Sequence, residues 1–224
     1  MSPYRILERE VLRWNRSFSL VSRQDPEGRT RRLIQECRLG AEALAAVLDD
    51  LGATGPLLYA DLGTGGGFPG LVWALDLPQL LPAAIPLRGA HLVEPRAKRA
   101  WFLRQTAGAL GLDGVRVHGC RWGETSPLSP EPAALLVVSM KALHLPETDV
   151  LAHAHAAFPG WRGPVAVVRF TTEADARTGS WDPGLGIPAT LRAPSTQPHH
   201  RFAMLQDPDL HASLLISWHP SVAG

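Results

Sequence analysis

Ten residues, Asp61-Leu62-Gly63-Thr64-Gly65-Gly66-Gly67-Phe68-Pro69-Gly70, have the make-up of a loop that lets a ligand reach the main chain. Glycine accepts tight turns and, lacking a Cβ, lets a bound group approach backbone amides. An apolar run enters this loop and a helical pattern leaves it, an arrangement that serves nucleotides in general. Spacing narrows the ligand. A dinucleotide loop has its third glycine three positions after the second. Here Gly63, Gly65 and Gly67 are evenly spaced, with Asp61 two residues before the first, where it would orient the loop or meet a ligand's ammonium through water. That pattern favours S-adenosylmethionine over NAD, with dinucleotide binding or a plain tight turn as the alternatives. The next apolar run ends in Leu92-Val93-Glu94, where a carboxylate would accept hydrogen bonds from two ribose hydroxyls. Glu94 lies 31 residues after Gly63, against a usual interval of about 20, and the Pro-rich segment Leu77–Gly89 is expected to be a surface insertion that accounts for the difference. The other reading of Glu94 is a charge that complements the dipole of the helix after it.

Other reactive side chains are sparse. Cys37 and Cys120 lie far apart in different contexts, so neither a disulfide framework nor a zinc site is expected. His153 and His155 alternate with alanines without a carboxylate or cysteine at metal-ligand spacing, and a solvated helix face is the expectation. The net charge of +1 conceals an uneven distribution: residues 1–38 carry nine Arg against five acids. An anionic partner would be drawn to that arm, through some of Arg5, Arg9, Arg13, Arg16, Arg29, Arg31 and Arg32. The bland alternative is a coding preference for Arg, of which there are twenty against two Lys.

The elements that must position these residues can be read from periodicity. Residues 3–16 form an amphipathic helical pattern, and Asp25-Pro26-Glu27 opens a second helix, with Asp as N-cap and Pro in the first turn, running through Leu48 and ending near Gly52. From Pro56 onward short apolar runs alternate with helical stretches, the signature of a parallel sheet with crossover helices. Expected strands are Leu57–Leu62, Gly89–Glu94, Gly114–His118, Ala134–Ser139 and Pro164–Phe170. Expected helices between them are Gly70–Leu75, Ala97–Leu110 and Glu147–Ala157. Ser180–Pro198 is loop-like, and Arg201–Leu205 with Ser213–Trp218 forms an antiparallel pair at the sheet edge. With 224 residues, 45% of them hydrophobic, one substantial core is expected: a helical extension over 1–54 and an α/β domain over 55–224. No apolar run approaches bilayer-spanning length and the N-terminus lacks a signal-peptide pattern, so a cytoplasmic protein without membrane or metal partners is expected.

Several ordered segments resemble the RsmG (GidB) family of bacterial small-subunit ribosomal RNA guanine-N7 methyltransferases. Gly63-Thr-Gly-Gly-Gly-Phe-Pro-Gly-Leu71 matches the family's G-T-G-A-G-F-P-G-L with one Ala-to-Gly change. Trp14-Asn15-Arg16 with Ser19-Leu20 resembles its W-N-K and N-L-T elements, Arg23-Gln24-Asp25-Pro26-Glu27 its R-D-P-E, and Lys98–Leu103 its K-R-x-x-F-L. Val117-His118-Gly119 opens its V-H-G-R-A-E segment. The resemblance implies a class I, Rossmann-like methyltransferase fold with a mostly parallel sheet, helices on both faces and an N-terminal helical extension. It implies cofactor contacts at Gly63 and Phe68, and at Trp122-Gly123 or the neighbouring Glu124. It also puts Lys141, within Val138-Ser139-Met140-Lys141-Ala142, where the family's T-S-R-A has an Arg. Two departures stand out. The family's R-H-I-L-D-S is here Arg32-Leu33-Ile34-Gln35-Glu36-Cys37, and its basic C-terminal signature is not recognisable after residue 170.

Together these observations name Asp61, Gly63, Gly65, Phe68, Glu94, Trp122, Gly123 and Lys141 as candidate contacts for S-adenosylmethionine, with ribosomal RNA or the small ribosomal subunit as the implied partner. No catalytic acid or base stands out, which suits methylation of a guanine N7: its lone pair attacks directly and no proton has to leave, so alignment supplies most of the acceleration. An exocyclic-amine enzyme would carry a D/N-P-P-Y-like element in place of Ser139–Ala142. A base-C5 enzyme would have Pro rather than Gly119 before a nucleophilic cysteine at 120. Two further possibilities are a methyltransferase for a small molecule or protein, and a non-catalytic cofactor-binding protein.

Overall fold

A computed structural model describes residues 1–124, 133–143, 145–158, 161, 163–171, 199–204 and 213–220. Helices α1 (Pro3–Asn15) and α2 (Pro26–Asp50) come first. Then follow β1 (Leu57–Leu62), α3 (Gly70–Leu80), β2 (Leu87–Val93), α4 (Ala97–Ala109), β3 (Val115–His118), β4 (Leu135–Met140), α5 (Glu147–Ala157), β5 (Val165–Thr171), β6 (His199–Met204) and β7 (Ser213–His219). The strands form one sheet in the order β3-β2-β1-β4-β5-β7-β6. The first five are parallel, and β7 joins β5 antiparallel with β6 at the edge. The expected α/β architecture and the terminal antiparallel pair are both present.

Central strands β1 and β4 are buried at all six positions, which is why each is a continuous apolar run rather than an alternating one. Odd and even positions serve different layers. Leu57 and Tyr59 join a core built with α1, α2, α3 and α4, whereas Leu58, Ala60 and Leu62 join a second core with Val150, Ala154 and Ala157 of α5. Helices therefore cover both faces. Leu33, Ile34, Cys37, Ala41, Leu44 and Leu48 put α2 into the first of these cores, and Trp73 Nε1 on α3 donates to the Cys37 carbonyl at 2.8 Å.

Local signals explain the helix starts. Ser2 caps α1 ahead of Pro3, and the Asp25 side chain accepts from Gly28 N, with Pro26 beginning α2. One expectation needs correcting. Leu77–Gly89 lies mostly at the surface, as expected, but is not a separate insertion: α3 continues past Leu75 and through Pro78 to Leu80, β2 begins at Leu87, and Leu77 and Ile85 are wholly buried. Their burial outweighs the one helical hydrogen bond that Pro78 forgoes. Ser180–Pro198, expected as loop, lies outside the described residues.

Candidate cofactor-binding site

The strand order reverses between β1 and β4, and open α/β sheets bind ligands outside the carboxyl ends of the strands at such a switch point. The glycine loop leaves β1 there. Gly63 and Gly65 have φ of 71° and 56°, a left-handed conformation that disfavours side chains. A Cβ on Gly65 would stand 3.6 Å from its nearest neighbours, Arg99 Nη1 and the Gly63 carbonyl, and one on Gly63 would stand 3.3 Å from Leu143 Cδ2. Gly70 is the opposite case, since a Cβ would fall 2.6–2.8 Å from Leu92, Asp61 and Thr64. Close packing keeps Gly70 a glycine; at Gly65 the left-handed φ does so. Phe68 is buried, and its ring lies 3.4 Å from the place a Gly66 Cβ would take.

Asp61 is wholly buried at the end of β1. It accepts from Ser139 Oγ at 2.6 Å and from Gly70 N at 3.0 Å, tying the loop's far end to β1 and β4. Ser139 spends its proton on Asp61, so the Tyr59 hydroxyl, 2.8 Å from Ser139 Oγ, is the donor in that contact. Burial pushes the Asp61 carboxyl up to about 7, against the lowering effect of these hydrogen bonds. Glu94, 3% exposed at the end of β2, accepts from Gly65 N at 3.0 Å through one oxygen and from Arg96 N at 2.9 Å through the other. The second bond sits at the N-cap of α4, so Glu94 serves the helix start as well as the loop.

Two segments far from it in sequence converge on this loop, the α1–α2 connection and α4. Buried Asn15 accepts from Leu20 N and Val21 N, at 2.8 and 3.1 Å, and folds the α1–α2 connection so that the Leu20 carbonyl lies 3.3 Å from the Gly66 Cβ position. Arg99 on α4 donates to the Ser19 carbonyl at 2.7 Å while its other nitrogen faces Gly65. Asn15, Arg99, Thr64 and Ser139 were not among the expected site residues, although all four lie within segments that carried the family resemblance. Trp14 packs edge-on against Trp101 of α4, with ring centroids 4.7 Å apart.

Trp122 and Gly123 follow β3. Trp122 is buried against the α5 layer with Nε1 donating to the Val150 carbonyl at 3.2 Å, and Gly123 (φ 95°) abuts the His153 ring, 2.9 Å from its Cβ position. Glu124 accepts from Arg121 N nearby. Lys141 follows β4, whose last residue pairs with Leu62 at the start of the loop, and turns its side chain to α2. Its Nζ donates to Glu36 of α2 and lies 4.5 Å from the Phe170 ring centroid. Asp61, Gly63, Gly65, Phe68 and Glu94 are thus brought together, while Trp122 and Lys141 direct their side chains to α5 and α2. Among the described residues, no group of three or more His, Cys, Asp or Glu is arranged to hold a metal ion, and no helix is long and apolar enough to cross a membrane.

The model of a family described as GidB, rRNA small subunit methyltransferase G, matches residues 4–137. Ribosomal RNA small subunit methyltransferase G of Myxococcus xanthus is 31% identical over 166 residues, covering 74% of this chain and 68% of that protein. Its namesake in Granulibacter bethesdensis is 37% identical over 128 residues, covering 57% of this chain and 51% of that one. The matched region therefore spans about half to two thirds of these relatives. A SAM-dependent methyltransferase from Leishmania major superposes with a TM-score of 0.51 at 13% identity, covering 97% of this chain and 86% of that one, a likeness of fold.

Proposed function

Because this chain belongs to the rRNA small subunit methyltransferase G family, we propose that it binds S-adenosylmethionine on the β1–α3 loop and methylates N7 of a guanine in 16S ribosomal RNA. The observation that carries the cofactor half is the left-handed turn of Gly63 and Gly65 at the switch point of the sheet, held against the Glu94 carboxylate. A carboxylate offers about four acceptor sites, of which Glu94 uses two on backbone amides; two remain for ribose hydroxyls. Asp61, Gly63, Gly65, Phe68, Glu94, Trp122 and Gly123 would hold the cofactor. When bound it supplies an electrophilic methyl group, which guanine N7 takes with its own lone pair and without a general base. The chain's share of the work is to fix the loop, through Asp61, Ser139 and Asn15, and to align the base.

Phosphate contacts fall to the arm of residues 1–54, which we treat as a unit appended to the methyltransferase domain of 55–224. Arg5, Arg9 and Arg13 of α1 and Arg16 just after it line, with Arg31, an open groove of about 560 Å³ that Glu8 and Glu27 also line. On this reading the protein works in the cytoplasm on the small subunit or its RNA. Purified protein titrated with S-adenosylmethionine, then supplied with small subunits and free rRNA and a radiolabelled methyl donor, is expected to bind the cofactor and label a guanine. Cofactor binding without RNA labelling would point instead to a small-molecule or protein acceptor, or to a non-catalytic role.

A further inference from the structure

The carboxyl end of β4 carries a charged pair that the glycine loop does not use. Lys141 and Glu36 are joined by a hydrogen bond between residues 105 apart, and their side chains are 15% and 12% exposed. A pair so far removed from water contributes little to stability, because desolvation offsets the attraction and apolar residues of the same volume serve as well. Its construction fixes a position. Gly40 lies one turn along α2 from Glu36, and a Cβ there would stand 3.0 Å from Phe170 Cζ; without it the ring lies against the helix and supports the ammonium. Ala142 (φ 55°) then turns the chain, and Leu143 packs 3.3 Å from the Gly63 Cβ position. Lys141 therefore occupies the β4 side of the switch point whose β1 side holds the glycine loop.

We propose that Lys141, fixed by Glu36 and Phe170, reads O6 of the acceptor base and so selects guanine over adenine, with Glu36 as its positioning residue. This rests on the guanine-N7 reading above. An ammonium has three donors and no acceptor; Glu36 takes one. Guanine presents O6 beside N7, whereas adenine presents an amino donor at the same place. A pinned ammonium pairs with the first and opposes the second. With N7 facing the methyl group, O6 is the acceptor left on that edge.

The test compares wild type, Lys141→Met, Lys141→Arg, Glu36→Gln and Glu36→Gln/Lys141→Met. The last removes both charges, so no lone buried charge threatens folding. Cofactor affinity is measured by calorimetry, and methyl transfer on RNA whose wild-type acceptor guanine is kept or replaced by inosine, which retains O6, or by 2-aminopurine, which lacks it. Wild type is expected to treat guanine and inosine alike and to methylate 2-aminopurine roughly tenfold to a hundredfold more slowly. Lys141→Met and the double variant should lose that preference at unchanged cofactor affinity; Lys141→Arg should keep it, and Glu36→Gln should lose part of it. A folded double variant that still prefers guanine overturns the proposal, as does a parallel fall in cofactor affinity, which would return Lys141 to the cofactor cradle. A wild type that binds cofactor but labels no guanine overturns the underlying reading and this one with it.

Discussion

At the scale of single residues, the glycine loop separates into positions kept by packing and positions kept by backbone conformation. Gly70 leaves no volume for a side chain, whereas a Cβ on the buried Gly65 meets only ordinary contacts at 3.6 Å and a left-handed φ, a strain of order 1–3 kcal/mol. Gly65→Arg should therefore fold and lose S-adenosylmethionine binding, by calorimetry; a folded variant with wild-type affinity would move the ligand off this loop. Two buried titratable groups make a second prediction. Asp61 is raised from 3.8 to about 7 by burial, so its contribution to stability is present below pH 3.8 and is lost as pH rises through about 7. His91, stacked on His118 with 3.1 Å between ring nitrogens, is lowered from 6.5 to about 4, by burial first and by His118 second. Its contribution is present above pH 6.5 and is lost as pH falls towards 4. The two slopes oppose each other in one window. Denaturant unfolding should find that Asp61→Asn steepens the rise of stability with pH between these values, and that His91→Gln flattens or reverses it. Identical profiles for all three proteins would mean that neither group titrates as its burial dictates.

At the scale of elements, what could be read in the sequence was whatever depends on local pattern. β1 was legible to the residue because buried parallel strands are continuous apolar runs between turn residues, and α5 because Glu147 and Ala157 bound a clear helical stretch. The end of α3 was not, since Pro78 is a stop signal that the burial of Leu77 overrides. Partners across long separations were not legible either. Periodicity says which face Lys141 takes and is silent on whether Glu36 or the loop meets it. The same limit applies to the arginines of the N-terminal helices, whose pairing only the structure reveals. Arg9 and Arg13 engage Glu10, Arg31 engages Glu8 and Glu27, and Arg32 engages Asp25. Arg5, Arg16 and Arg29 have no carboxylate within ion-pair distance among the described residues, and they are the sharper choice for charge reversal. Arg5→Glu/Arg16→Glu/Arg29→Glu should weaken RNA binding whatever the sequence and reduce the salt slope by about 0.7–0.9 for each phosphate no longer neutralised, leaving cofactor affinity alone. Unaltered RNA binding and salt slope would make α1 and α2 a purely structural pair.

For the whole molecule, the site is a place where distant pieces are fastened to one another. Asp61 joins β1 to β4 through Ser139, Glu94 joins β2 to the loop, and Arg99 joins α4 to the α1–α2 connection. A ligand seated there touches the folded arrangement and has no counterpart in the unfolded chain, so its binding adds to the stability of the entire sheet rather than to one loop. At a free concentration one hundred times its Kd, that addition is about 2.7 kcal/mol. A domain of this size gains about 2–4 °C per kcal/mol, so S-adenosylmethionine should raise the melting temperature by roughly 5–10 °C. NAD carries a pyrophosphate that needs the third glycine three positions after the second, and this loop spaces its glycines evenly; NAD at the same concentration should leave the transition where it was. Gly65→Arg supplies the control, its melting temperature failing to respond when S-adenosylmethionine is added. A shift with NAD and none with S-adenosylmethionine would reverse the reading of the loop, and a shift with S-adenosylmethionine that persists in Gly65→Arg would place the ligand elsewhere on the fold.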